Sequence, residues 1–279
     1  MPVAERGGNE IYYEVRGRGP PLLLIEGLGY GLWMWRGQSP SLEDRFRLLL
    51  VDNRGVGKST PLPGPYSMAE FARDAVAVLD QEGVERAAVL GASMGGMIAQ
   101  SIADLFPARV TALVLACTLA GGVGTRPMPA ETWAEVTRQV PGESERDRLR
   151  RTMAVAMTPD YPRVHPTEID RILDDRIAAP TDGAQWMYQA QSAREFDARG
   201  SDARLGVPVL LTTGTDDRVV PWTNSLALFH IIPRSSLRIF RGQNHLHFLE
   251  RATEFNEAVA RFLTAPPGEF VAGRVDEVI

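Results

Sequence analysis

Ser93 stands in the run Val89-Leu90-Gly91-Ala92-Ser93-Met94-Gly95-Gly96, with glycine two places before it and two places after. An apolar, strand-like stretch, Ala87 to Leu90, leads into the serine, and Met97, Ile98, Ile102, Leu105 and Phe106 leave it at helical spacing. A serine on a strand-to-helix turn in the pattern G-x-S-x-G is a presented nucleophile. So sharp a turn leaves no room for side chains at Gly91 and Gly95, and Gly96 lets the helix approach closely. The hydroxyl then projects at the carboxyl edge of a sheet, beside a helix N-terminus that favours negative charge.

A serine hydroxyl is a weak nucleophile and needs a base in hydrogen-bond reach, oriented by a third group. The chain has 4 histidines. His245, in Arg241-Gly242-Gln243-Asn244-His245, follows the last strand-like run and is the expected base. His247 competes with it and is expected to point into the next helix. His230 ends a helical run, where a cation suits the dipole, and His165 is expected at the surface or in packing. The orienting acid is expected after the strand Val209 to Thr213, in Gly214-Thr215-Asp216-Asp217-Arg218-Val219-Val220-Pro221. Asp216 and Asp217 compete there, and since adjacent residues point in different directions at most one faces the histidine. The charge that develops on attack needs N–H donors. Met94, after the serine, is expected to supply one; Leu28, in Glu26-Gly27-Leu28-Gly29-Tyr30-Gly31, is expected to supply the other.

Strand-like and helical runs alternate around these residues. Ile11 to Val15 reads as an edge strand, and Pro21 to Ile25 and Leu48 to Asp52 are apolar enough to be buried on both faces. A helix follows over Met68 to Gln81, then the Ala87 to Leu90 strand, the helix after Ser93 and a strand over Leu113 to Ala116. Such alternation predicts an α/β fold with a mostly parallel sheet flanked by helices. From about Ala120 to Leu205 the pattern is helical throughout, opening on Gly121, Gly122, Val123 and Gly124 as a hinge. Residues 1–119 and 206–279 are therefore expected to form the core, with 120–205 as a helical cap whose Trp133, Trp186 and Tyr188 line a pocket or pack the cap on the core. Alternation resumes with Val209 to Thr213, a helix over Asn224 to His230, the strand Leu237 to Phe240 and a last helix carrying Phe255, Val259, Phe262 and Leu263. The tail from Pro266 to Ile279 is expected to be loosely held.

Composition narrows the field. The 279 residues are 44% hydrophobic with a net charge of −5, which suits one large core and gives no reason to expect nucleic acid. Cys117 is the only cysteine, so no intrachain disulfide forms, as suits a cytoplasmic protein. Neither a signal peptide nor a membrane span is expected. Two motifs are decoys. Gly55-Val56-Gly57-Lys58-Ser59 lacks the first glycine of a phosphate loop, where Asp52 stands, and Leu32 fills the third glycine position of a dinucleotide loop begun at Gly27 and Gly29.

Together these runs resemble the α/β-hydrolase fold superfamily over about residues 10 to 263. Asp52-Asn53-Arg54-Gly55-Val56-Gly57-Lys58-Ser59 is similar to its D-x-R-G-x-G-x-S turn, and Gly91 to Gly96 to its nucleophile elbow. The family's G-x-x-D-x-x-x-P pattern puts the acid at Asp217, and its base falls on His245, in the chain order serine, acid, histidine. The elbow and short helical cap are similar to the esterase, 3-oxoadipate enol-lactonase and cofactor-free haloperoxidase branches. The resemblance implies a serine hydrolase that cleaves a small apolar carboxylic ester or lactone through an acyl-enzyme, with no metal or organic cofactor. Perhydrolysis or C–C bond hydrolysis by the same triad is the alternative; a ligand receptor on a hydrolase scaffold is the non-enzyme one. One departure stands out: Glu26-Gly27 replaces the family's His-Gly. Glu26 is expected to hold its loop by hydrogen bonds, against a rival reading in which its carboxylate borders the pocket and alters substrate choice.

Overall fold

The computed structural model describes residues 2–266 and 269–278. Its strands are β1 (Val3–Arg6), β2 (Asn9–Arg16), β3 (Pro21–Ile25), β4 (Arg47–Val51), β5 (Ala87–Ala92), β6 (Val110–Ala116), β7 (Val209–Gly214), β8 (Ser235–Phe240) and β9 (Val275–Val278). They form one sheet in the order β1-β2-β4-β3-β5-β6-β7-β8-β9. β2 pairs antiparallel with both β1 and β4, and every other neighbouring pair is parallel. The longer helices are α1 (Met68–Gln81), α2 (Met94–Leu105), α3 (Ala130–Thr137), α4 (Glu145–Ala154), α5 (Pro166–Ala178), α6 (Gly183–Glu195), α7 (Thr223–Ile231) and α8 (Ala252–Thr264).

The apolar runs become central strands because both faces of the sheet are covered. Alternate side chains point to opposite sides: Leu23 and Ile25 join a core with α1 and α2, and Leu22 and Leu24 join one with Trp35, Phe248 and Phe255. Between β6 and β7 the described residues hold helices and no strand. The two ends of this insert meet at a bridge between Gly121 and Asp197, backed by a 2.8 Å bond from Ala198 N–H to the Ala120 carbonyl. Among the described residues no helix is long and apolar enough to cross a membrane.

Two expectations fail. Ile11 to Val15 lies in β2, which is not the edge, because Val3–Arg6 folds back on it through Gly7 and Gly8. Both glycines have positive φ, 58° and 81°, the conformation of a two-residue hairpin turn. The tail is not loose throughout either: β9 adds a parallel edge strand to β8, and Arg241 pairs with Glu277 at 2.5 Å. Its short, half-polar sequence carries too little hydrophobic pattern to be recognised alone. Pro267, Gly268 and Ile279, also in that tail, lie outside the described residues.

Candidate active site

Ser93 sits between the end of β5 and the start of α2, with φ 55° and ψ −119°. Among the described residues, Ser93 and Cys117 are the two non-glycine residues with positive φ, and both lie at the carboxyl edge of the sheet. Strain of this kind persists only where the surroundings impose it. Here the packing does so. A Cβ on Gly91 would lie 2.2 Å from the Gly95 carbonyl oxygen, one on Gly95 2.1 Å from that of Ile25, and one on Gly96 2.7 Å from the Thr118 side chain.

The loop after β3 lies against the serine: a Cβ on Gly27 would stand 3.3 Å from Ser93 Cβ and 3.9 Å from its Oγ. Leu28 follows directly, and Met94 opens α2 on the other side. This loop is braced from below. Asp52 accepts from Leu32 N–H at 2.7 Å and from Lys58 N–H at 3.0 Å. Ser59 Oγ donates to the Asp52 carbonyl at 2.6 Å, and Arg54 forms a buried two-pronged pair with Asp74 at 2.6 and 2.8 Å. The D-x-R-G-x-G-x-S run is thus a scaffold for the loop.

His245 and Asp217 meet at the same edge. His245 Nδ1 is 2.8 Å from Asp217 Oδ2, and the acid is fully buried. The other oxygen of Asp217 accepts from Val219 and Val220 N–H, each at 2.8 Å, which fixes the carboxylate on the ring. Burial disfavours the charged imidazole, but the adjoining Asp217 carboxylate and Cys117 outweigh it, and the proton affinity of His245 is raised well above the free value. The Cys117 thiol lies beside the His245 ring and near the Ser93 N–H, and burial pushes its own pKa up. His245 and Ser93 therefore share a neighbour.

The competing groups are placed elsewhere. Asp216 is exposed and bonds to Thr215 Oγ1 at 2.9 Å. His247 is buried among Phe240, Phe248 and Phe255, with Nε2 3.0 Å from Thr212 Oγ1, and burial lowers its pKa to about 3, so it is a neutral core residue. His230 is exposed at the end of α7, and His165 is exposed and stacked on Tyr161.

Glu26 is fully buried, with Oε1 accepting from Asn53 N–H at 2.7 Å and Oε2 without a partner among the described residues. Burial, then the nearby Asp52 charge, raises its pKa well above the usual carboxylate value. This supports the loop-holding reading. The aromatic trio separates. Trp133 is 49% exposed on α3. Tyr188 packs edge-on to Tyr66, and its ring stands 2.4 Å from where a Cβ on Gly64 would be, so it docks the insert on the core. Trp186 lies against Gly29, beside the Leu28 turn.

A family model described as the alpha/beta hydrolase fold matches residues 20–252. The chain belongs to the α/β-hydrolase family. This hydrolase is 32% identical over 266 residues to a provisionally named carbamate hydrolase of Azorhizobium caulinodans, covering 94% of this chain and 98% of the relative. It is also 32% identical over 255 residues to a 2-hydroxy-6-oxononadienedioate/2-hydroxy-6-oxononatrienedioate hydrolase of Cupriavidus pinatubonensis, covering 87% and 86%. The enol-lactonase of Burkholderia xenovorans LB400 superposes on it with a TM-score of 0.82 at 26% identity, covering 94% of this chain and 100% of that one.

Two site neighbours of the hydrolase escape the sequence patterns. Asn244 is buried; its Oδ1 accepts from Arg218 N–H at 3.0 Å and His245 N–H at 2.8 Å, and its amide donates to the carbonyls of Val155 and Met157 at 3.0 and 2.7 Å. One side chain thus ties the Asp217 loop, the His245 loop and the insert. Gln189, buried on α6, is the other. The signal for it was a stripe of Gln185, Gln189 and Ser192 on one helical face where apolar residues are expected.

Proposed function

We propose that this α/β hydrolase cleaves a carboxylic ester or lactone by a serine mechanism. The observation that carries it is the buried 2.8 Å contact between His245 and Asp217 at the sheet edge where Ser93 is held at positive φ. Ser93 Oγ attacks the carbonyl carbon as His245 takes its proton; Asp217 holds the ring's tautomer and stabilises its charged form. The Leu28 and Met94 N–H groups have no acceptor among the described residues; one follows Gly27, which packs on Ser93, and the other follows Ser93 itself, which supports them as donors to the developing oxyanion. His245 then protonates the leaving alcohol, and water, activated by the same ring, releases the acid. Residues 120–205 act as a cap over this site, and 1–119 with 206–279 as the core. The likeness to an enol-lactonase supports a lactone or ester as substrate. Cys117 is a free thiol, which suits the cytoplasm.

A second reading, hydrolysis of a C–C bond by the same three residues, is favoured by the relative named as a 2-hydroxy-6-oxononadienedioate hydrolase. A fluorophosphonate probe and a panel of p-nitrophenyl esters of rising acyl length test the first. Labelling lost in Ser93→Ala, with turnover falling by about 10⁴ or more, is expected. Intact protein that is not labelled at Ser93 would remove the serine mechanism. Turnover of a vinylogous 1,5-diketone with no turnover of any ester would replace ester cleavage by the second reading.

A further inference from the structure

The donor assigned to Leu28 sits in a turn that the insert holds. Gly27 C=O accepts from Tyr30 N–H at 3.2 Å, closing a four-residue turn with Leu28 and Gly29 at its centre. Gly29 has φ 72°, the value a type II turn needs at its third residue. Turns of this kind flex readily unless their free peptide groups are engaged, and this one is engaged from α6 and the segment before it. Gly29 N–H donates to Gln189 Oε1 at 2.8 Å, and Thr181 Oγ1 donates to the Gly29 carbonyl at 3.3 Å. Gln189 is itself fully buried, and its Nε2 donates to the Arg54 carbonyl at 3.3 Å. The amide thus spans the Leu28 turn and the Asp52–Ser59 scaffold. The Trp186 indole fills the space where Gly29 would carry a side chain, 2.8 Å from that point.

From this geometry we infer that Gln189 is a positioning residue for the oxyanion donor of Leu28. The inference rests on the serine mechanism proposed above. Gln189 touches the peptide next to the donor rather than the substrate, so its removal should act on transition-state stabilisation and spare ground-state binding. A displaced donor is costly because an oxyanion hole works only when aimed within a fraction of an ångström. The carboxamide also explains why the insert presents a polar side chain to the core here. An apolar residue would leave Gly29 N–H and the Arg54 carbonyl buried without partners.

The test uses the full chain. Gln189→Met removes both hydrogen bonds at similar volume; Gln189→Glu keeps the acceptor for Gly29. Ser192→Ala, on the same helix, removes a different tie to the core, the 2.6 Å bond to the Tyr66 carbonyl. Each is measured for kcat and KM on p-nitrophenyl butyrate, for inhibition by a phenylboronic acid that forms a tetrahedral adduct with the serine, and for Tm. In Gln189→Met, kcat should fall about 10- to 100-fold, boronate affinity should fall by a similar factor, and KM should stay within about 3-fold. Gln189→Glu should recover most of the loss, and Ser192→Ala should lower Tm while leaving kcat near wild type. Wild-type kcat in Gln189→Met would overturn the inference, as would an equal loss in Ser192→Ala. If Gln189→Glu does not fold, the contrast between the other two still decides. Ester turnover by Ser93→Ala equal to that of wild type would instead bring down the serine mechanism, and this inference with it.

Discussion

The sheet core and the helical insert differ in how tightly their contacts are drawn. Every residue of β5 and of β7 is buried, and the elbow glycines of the core meet backbone atoms at distances no Cβ tolerates. In the insert, α4 and α5 share a buried cluster of Leu149, Met153, Ile169, Ile172 and Leu173, rimmed by exposed ion pairs: Arg146 reaches Asp170 at 2.8 Å and Asp174 at 2.5 Å, and Arg150 reaches Asp170 at 3.0 Å. Close packing forbids change, whereas solvated charge tolerates it. The insert meets the core through the buried amides of Gln185, Gln189 and Asn244. The difference teaches that precision in this molecule belongs to the sheet edge and to whatever touches it.

Four substitutions probe that contrast, from the strongest effect to the weakest. Asp217→Asn should lower kcat for esters by about 10³–10⁴ while the protein stays folded, as the ring loses its orienting anion. The same carboxylate raises the affinity of His245 for its proton, and a base must lose that proton to work. In the wild type, kcat/KM should therefore climb with pH and level off only above the ordinary histidine range. In Asp217→Asn burial is opposed by Cys117 alone, and the midpoint should move to lower pH.

Gly95→Ala tests packing alone. Its Cβ would meet the Ile25 carbonyl oxygen at 2.1 Å, so the elbow must shift, at a cost of about 3 kcal/mol or more in urea unfolding. A loss below about 1 kcal/mol would show that the elbow yields and that close packing does not set the Ser93 conformation.

Asp202 lies at the junction of insert and core, fully buried, with both carboxylate oxygens unpartnered among the described residues. Burial, then Asp104 and Asp197, raises its pKa from 3.8 to about 7. The folded form holds the proton more tightly than the unfolded form, so this group's contribution falls as pH rises from about 4 to about 7 and is flat beyond. Asp202→Asn should thus stabilise the protein by about 2 kcal/mol at pH 8, with the gain shrinking as pH falls from about 7 to about 4 and absent below that. A gain independent of pH would point to altered packing instead. The smallest effect is expected in the insert: Arg146→Ala should move Tm by less than about 2 °C, and added salt should shrink the difference. A larger, salt-resistant loss would erase the distinction between the two regions.

Much of the site is legible before folding because its parts obey local rules. The elbow needs glycine around Ser93 and so leaves a motif, whereas Asp217 is picked out over Asp216 only by the resemblance to the family's pattern. Sequence separates His245 from His247 only weakly, and folding places one ring on Asp217 and the other among three phenylalanines. Trp133 shows the limit of periodicity. It marks a helix but not which face the helix turns inward, and that face looks to solvent. Asn244 and Gln189 leave little trace because a buried amide is defined by partners distant in sequence: Gln189 lies 160 residues from Gly29.

By itself the sequence determined the strand–helix alternation and the strained serine turn. Each of these depends on backbone sterics and side-chain period within a few residues. Only the tertiary structure decided that Glu26 braces a loop, that Val3–Arg6 and Val275–Val278 extend the sheet, and that the insert grips the turn bearing Leu28. Those outcomes are set by hydrogen-bond partners and burial that exist only once remote segments share one surface, where an unpaired polar group costs more than the chain's local preferences can offset.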